Sequence, residues 1–466
     1  MSREGKLVKN TFIIAVGTFL PKICSLVTLP IITAYLTKIQ YGAYDLINTG
    51  VSLILPVLTL QLQAAAFRFL IEYRNDNEKK YSIITDIFVF ITIAAIMFGV
   101  IFLAMFPGLP VDTKIIIAFY FFIDTQFIAV QQILRGFSLT RMYSFCSVVV
   151  SVLNMLFVIV TVSWFGWALN GVIISIALAT FSAIVVVLLK TDIFKYFSLG
   201  SFSVPLLKEM LQYSWPMIPN SLSNWIISLS DRLVVTCFLG IEANAVYAAA
   251  NKLPALFTSL QGTFVLAWQE NASLSCDDED VDLYYGKMFD GIMGILFAII
   301  AMLIACTPIA FEILIKGDYS SAYAQMPILY MGMFFSAMAS FIGGIYIANK
   351  RTKNVGITTM IAALTNLIID LLLVKQIGLF AASISTCVSY FVLAVYRIIN
   401  VQEFQKIKFN LKRIISILFF LLIICMLNYQ NNLLTDICNF ILAIILSIAY
   451  NRLIVVNVFC KLKQLI

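Results

Sequence analysis

Apolar runs of helical length follow one another from residue 10 to about residue 457, separated by short polar or turn-forming stretches. A helix needs roughly 20 apolar residues to cross about 30 Å of hydrocarbon. On that measure the pattern predicts fourteen spans, at about 10–34, 42–71, 82–106, 113–137, 142–163, 168–189, 209–238, 243–268, 286–315, 321–348, 354–374, 378–400, 411–428 and 433–451. Glycine-centred breaks such as Trp164-Phe165-Gly166, Leu239-Gly240 and Lys316-Gly317-Asp318 mark turns between them. The longer connections are 190–208, 269–285 and 401–410. The expected fold class is therefore an all-α polytopic membrane protein.

Proline sharpens the organisation. Pro21 and Pro30 fall in the first expected span, Pro56 in the second, Pro216 and Pro219 in the seventh, and Pro254 in the eighth. Proline removes a backbone donor and crowds the preceding turn, so it bends or breaks a helix. Matching interruptions in corresponding spans of two halves point to a transporter's central site. Spans 1–2 and 7–8 correspond at an even offset, which predicts two six-helix lobes related by a pseudo-two-fold axis along the membrane normal. The expected division is a lobe over 1–190, a cytoplasmic linker over 191–208, a second lobe over 209–400, and two further helices with a tail over 401–466.

Composition agrees with the pattern, since 61% of the 466 residues are hydrophobic and 12% are charged. The net charge of +7 is not a nucleic-acid signature, because the basic residues sit in short loops between apolar runs. With the N-terminus inside, only Lys38, Lys114, Lys316 and Lys375 fall in outside loops, so both termini are expected in the cytoplasm. No cleavable signal peptide is evident, because Pro21 and Lys22 interrupt the first apolar run. The nine cysteines are scattered singly and read as packing residues. Histidine is absent, which excludes Ser-His-Asp and Cys-His catalysis and most zinc sites. No metal or cofactor is expected.

The chemistry lies in charges placed inside spans, each costing about 2.5–3.5 kcal/mol at the bilayer centre. Lys22, Arg68, Arg232 and Lys252 all occupy the proline-bearing spans. Several cations around one cavity suit an anionic ligand, phosphate above all. Asn220, Asn224, Ser228 and Asp231 recur at helical spacing on one face of the seventh span, as expected of a wet cavity wall. Asp86, Asp124, Asp231, Asp290 and Asp370 are acids within spans that can take a coupling proton or sodium ion, or neutralise nearby cations. Asp124 is the deepest and is the first choice for coupling.

Several stretches carry a resemblance. They are Asn10-Thr11 through Pro21-Lys22, Tyr41-Gly42-Ala43-Tyr44-Asp45-Leu46, Ala64-Ala65-Ala66-Phe67-Arg68-Phe69 and Ile133-Leu134-Arg135-Gly136. They continue with Ser214-Trp215-Pro216 through Asn224-Trp225, Ser230-Asp231-Arg232-Leu233, Tyr247, Lys252-Leu253-Pro254, Ala267-Trp268, and Phe341-Ile342-Gly343-Gly344-Ile345 before Lys350-Arg351. Over roughly 5–400 the chain resembles the polysaccharide and O-antigen (Wzx-type) flippases of the multidrug/oligosaccharidyl-lipid/polysaccharide exporter superfamily. The resemblance implies a bacterial plasma-membrane transporter, not an enzyme, that flips a polyprenyl-pyrophosphate-linked oligosaccharide by alternating access for surface polysaccharide synthesis. It also implies that Lys22, Arg68, Arg232 and Lys252 hold the pyrophosphate, with other polysaccharide-assembly proteins as partners. Trp225 stands at the shifted counterpart of Lys22 in span 7, so the pseudo-symmetry of cations is not exact. The competing readings are a drug/cation antiporter of the same superfamily, whose cavities favour acidic and aromatic linings, and a membrane polymerase or glycosyltransferase. The polymerase needs a sizeable outside loop carrying carboxylates, and the outside loops expected here are short.

Overall fold

The first proline pair does not interrupt its helix. α1 (Arg3–Tyr35) runs through Pro21 and Pro30, as membrane helices permit when neighbours re-satisfy the freed backbone groups. α2 (Lys38–Leu58) opens on a reciprocal cap, with Thr37 Oγ1 accepting from the Gln40 amide and Gln40 Oε1 accepting from the Thr37 amide. It ends just past Pro56. Leu60 and Gln61 then take positive φ, and α3 (Leu62–Glu72) departs at 54°. α4 (Asn77–Met105), α5 (Val111–Gly136), α6 (Thr140–Val158), a π-helical turn at Ile159–Trp164 and α7 (Ala168–Lys190) follow. Two 3₁₀ turns and α8 (Val204–Ser214) form the connecting stretch. Then come α9 (Ile218–Leu239), α10 (Ile241–Ala250), α11 (Lys252–Leu274), α12 (Val281–Ala305), α13 (Thr307–Leu314), α14 (Ser320–Ala348), α15 (Thr352–Ile377), α16 (Phe380–Val401), α17 (Leu411–Asn428) and α18 (Leu433–Tyr450). This computed structural model describes residues 3–105, 108–276, 278–430 and 432–452.

Among the described residues, twelve helices are long and apolar enough to cross a membrane, and the bent α2–α3 pair makes a thirteenth. The eighth expected span, 243–268, is corrected in its continuity. It is broken at Asn251 into α10 and α11. Lys252, Thr258, Ser259, Gln261 and Gln269 lie along α11. Isoleucine, leucine and methionine side chains stay exposed along α4, α15 and α18, including Ile93, Met97, Leu364, Ile368, Ile441 and Ile445. Such faces suit lipid rather than water. The chain is a multi-pass integral membrane protein.

The helices group into two compact units, Met1–Trp225 and Ile226–Ile466. In the first, α3 packs against α5, and α1 against α6. A Cβ on Gly136 would lie 2.8 Å from Leu70 Cβ, and one on Gly17 2.6 Å from Ser144 Cβ, so both contacts require glycine. The connecting stretch is tied to α4: Thr85 Oγ1 donates to the Ser198 carbonyl and accepts from its amide, and Asp86 Oδ1 accepts from the Ser203 amide at 2.9 Å. In the second unit α14 is the central helix, contacting α11, α12 and α16. Trp268 stacks on Phe341 at 4.1 Å, donates to its carbonyl at 2.8 Å, and lies over Gly344. The α17–α18 pair is anchored to α12 where Asn451 Nδ2 donates to the Gly294 carbonyl at 2.8 Å. The eight cysteines among the described residues are free.

Candidate functional site

The expected cations sit in different surroundings. Lys22 is half-buried in α1 and has no hydrogen-bond or ion-pair partner among the described residues. Arg68 lies on α3 with Glu72 one turn on, at 3.8 Å, and both side chains are about half exposed. A pair so open to solvent contributes little. Arg232 in α9 and Lys252 at the start of α11 are half-buried in the second unit, and both interact with neighbours. Helical breaks position three of the four: Arg68 follows the α2–α3 bend, Arg232 lies in the helix that Pro216 and Pro219 open, and Lys252 opens the helix after Asn251.

The polar stripe expected on the seventh span divides along its length. Asn224 and Ser228 are exposed, whereas Asp231 is only 3% exposed, inside the second unit. The side chain of Asn220 lies outside the described residues. Beside Asn224, Trp225 is buried in the first unit, its indole N–H directed to the Thr49 carbonyl at 3.2 Å and Ser52 Oγ at 3.1 Å. That packing explains why a tryptophan, and not a second cation, occupies the position. Asp124 in α5 is half-buried and accepts no hydrogen bond among the described residues. Next to it Tyr120 donates to Asn48 Oδ1 at 3.1 Å.

The densest polar group lies within the second unit, and sequence reasoning found only part of it. Asp231 Oδ2 accepts from the Tyr247 hydroxyl at 2.8 Å and from Thr386 Oγ1 at 2.6 Å. Asn366 stands between, 3.4 Å from Ser230 Oγ and 3.5 Å from Thr386 Oγ1. One turn further along α15 is Asp370, fully buried and electrostatically coupled to Asp231. Neither Asp370 oxygen, nor Asp231 Oδ1, has a hydrogen-bond donor among the described residues. Two close carboxylates with acceptor oxygens left over repel each other unless positive charge joins them, and Arg232 already supplies one such charge beside Asp231. The acceptors of the set are oxygens: two carboxylates, hydroxyls, Asn366 Oδ1 and the Ala382 carbonyl, with Asn366 Nδ2 turned to Ser385 and Thr386. Hard cations favour such a set. No cluster of three or more His, Cys, Asp or Glu side chains occurs among the described residues, so the set lacks the donors of a transition-metal centre.

The missed members, Asn366 and Thr386, were visible beside the expected Asp370. Asn366 and Asp370 are four apart on one face of an apolar span, and Thr386 lies in the following one. Only the fold shows that they meet Asp231.

The profile of a family described as polysaccharide biosynthesis protein matches residues 7–268. Among solved structures, the lipid II flippase MurJ in an inward closed conformation superposes with a TM-score of 0.69 at 15% identity, over 97% of this chain and 100% of that one. An inward-facing multidrug resistance MATE family transporter of the MOP superfamily gives 0.69 at 13% identity, over 84% and 99%. A MOP superfamily transporter from Pyrococcus furiosus, described as having a binding pocket of reverse polarity, gives 0.58 at 14% identity, over 85% and 95%. At these identities the structural likeness shows a shared fold. No curated protein sequence matches the chain.

Proposed function

Because the chain belongs to the polysaccharide biosynthesis protein family and has the fold of MOP-superfamily transporters, we propose that it flips a polyprenyl-pyrophosphate-linked oligosaccharide. The sugar-bearing headgroup passes from the cytoplasmic to the outer leaflet of a bacterial plasma membrane by alternating access, with both termini in the cytoplasm. Lys22, Arg68, Arg232 and Lys252 meet the pyrophosphate, and Asn224 meets the sugar or its phosphate as an uncharged hydrogen-bonding group. The polyprenyl tail stays in lipid.

Lys22 is the observation that carries this reading. A charge inside a membrane helix is costly unless something pairs with it, and Lys22 has no protein partner among the described residues. An anionic headgroup supplies that partner. A lysine grips phosphate as a point charge and an arginine grips it bidentately, so the set tolerates variation in the attached sugar. Replacing Lys22 or Arg232 by alanine is expected to abolish export of the cell's surface glycan while the protein remains in the membrane. Normal export in both variants overturns the reading.

Energy input is assigned to the oxygen cluster in the second unit. A monovalent cation, sodium in the first instance, bound by Asp231, Asp370, Asn366 and Thr386 neutralises the carboxylate pair. Its binding and release bias the conformational cycle through differential affinity. In this reading Asp231, expected among the substrate-binding residues, serves the coupling ion. Asp124, half-buried beside Tyr120, is the corresponding acid of the first unit, and a proton is the ion suited to a single carboxylate.

A further inference from the structure

A basic recess lies at the end of the first unit, and none of the residues assigned above lines it. It has a volume of about 650 Å³ and is lined by Ser138, Thr140, Arg141, Phe145, Lys190 and Thr191, among others. It sits where the α5–α6 turn meets the end of α7. Neither Arg141 nor Lys190 forms an ion pair among the described residues. The nearest carboxylate in sequence, Asp192, is paired with Lys195 at 3.2 Å. α6 begins here on Leu139, which supplies no side-chain cap, so first-turn amides remain available to an anion. The Ser138 and Thr140 hydroxyls add neutral donors, whereas Thr191 Oγ1 donates to the Val187 carbonyl at 2.8 Å.

The recess is also at an apolar boundary. Phe145 is 46% exposed and carries Lys190 Nζ over its ring at 5.7 Å, and Leu189 is 81% exposed. Rings and aliphatic chains left open beside two uncompensated cations suit acyl chains next to a phosphate. Lys80, over the rings of Phe137 and Tyr196, lies at this same end. The asymmetry of basic residues assigns that end to the cytoplasm.

We propose that this recess binds the phosphate headgroup of an anionic phospholipid, with Arg141 and Lys190 on the phosphate and the acyl chains along Phe145 and Leu189. Basic pockets between membrane helices on the cytoplasmic side have the chemistry to hold such headgroups. The proposal does not rest on the flipping mechanism.

The test uses the full-length protein in phosphatidylcholine nanodiscs doped with phosphatidylglycerol, with retained lipid counted by native mass spectrometry. Wild-type protein is expected to retain phosphatidylglycerol selectively. R141Q/K190Q is expected to lose retention roughly thirtyfold, the combined worth of two basic groups at an anionic lipid. R141K/K190R, which keeps both charges, is expected to retain the lipid, as is R74Q, altered at a cation outside the recess. Retention in R141Q/K190Q equal to wild type overturns the proposal. So does binding of inorganic phosphate by the delipidated protein without selective retention of phosphatidylglycerol, which assigns the recess to a free anion.

Discussion

Substituting Asp370 by asparagine isolates the paired carboxylates. Asp370 is fully buried, with both oxygens lacking donors among the described residues, and Asp231 retains one oxygen in the same condition. An unpaired buried ion carries a penalty of several kcal/mol even after relaxation. Two coupled ones are sustained only if a bound cation or a proton adds to the charge of the neighbouring Arg232. A ligand at a hundred times its Kd stabilises the form that binds it by about 2.7 kcal/mol. For a unit of this size melting as one block, that corresponds to a rise of about 5 °C or somewhat more. The assay is tryptophan-monitored thermal unfolding of purified protein, in sodium chloride against choline chloride at equal ionic strength. The wild type is expected to melt higher in sodium. D370N is expected to lose the sodium-dependent rise and to match or exceed the wild type in choline, since one of two like charges is gone. A wild-type melt indifferent to sodium refutes the reasoning, as does a full sodium rise in D370N. A melt that instead moves with pH alone assigns the pair to a proton.

Three structural substitutions follow from the packing. In G344A the new Cβ falls 2.5 Å from Trp268 Cδ1 and 2.7 Å from its Nε1, an overpacking of about 1–3 kcal/mol, visible as a lower melting temperature; an unchanged melt contradicts the contact. Arg397, buried in α16, donates to Thr358 Oγ1, the Ala339 carbonyl and Thr359 Oγ1 at 2.8–3.1 Å. R397K cannot reproduce that fork and is expected to lose roughly 2–4 kcal/mol, measured by the same melt, and wild-type stability argues against the geometry. D86L removes the acceptor of the Ser203 amide and is expected to loosen the stretch before α8 by about 1–2 kcal/mol. Limited proteolysis between residues 190 and 204 reads this out, and cleavage no faster than wild type counts against it.

Hydrophobic period and proline spacing made most of the helices legible before any coordinates. Pro56 announced the α2–α3 bend, and Gly240 and Gly317 the turns where φ is indeed positive. At 243–268 the period gave one continuous run where the structure breaks the helix at Asn251, because hydrophobic spacing alone does not mark such a break. Pro21 and Pro30 misled in the opposite direction, because a lost backbone donor need not break a helix held by its neighbours. The motifs carrying the family resemblance owe part of their form to packing: Trp268 meets Phe341 and Gly344 across 73 residues or more of chain, and Gly136 seats Leu70. The cations were individually visible, because a charge in an apolar run stands out. The oxygen cluster was not, because Asp231 comes from α9 and Asn366, Asp370 and Thr386 from the consecutive α15 and α16 far along the chain, and no local spacing encodes that meeting.

Reconstituted translocation tests the central claim most directly. Purified protein in liposomes, given a fluorescent polyprenyl-pyrophosphate oligosaccharide in one leaflet, is followed by lectin binding at the opposite surface. Transfer is expected with the wild type and with K22R, and a loss of at least tenfold with K22Q, whose neutral amide cannot pair with the headgroup. Equal transfer by K22Q, or none by the wild type above protein-free vesicles, contradicts the account.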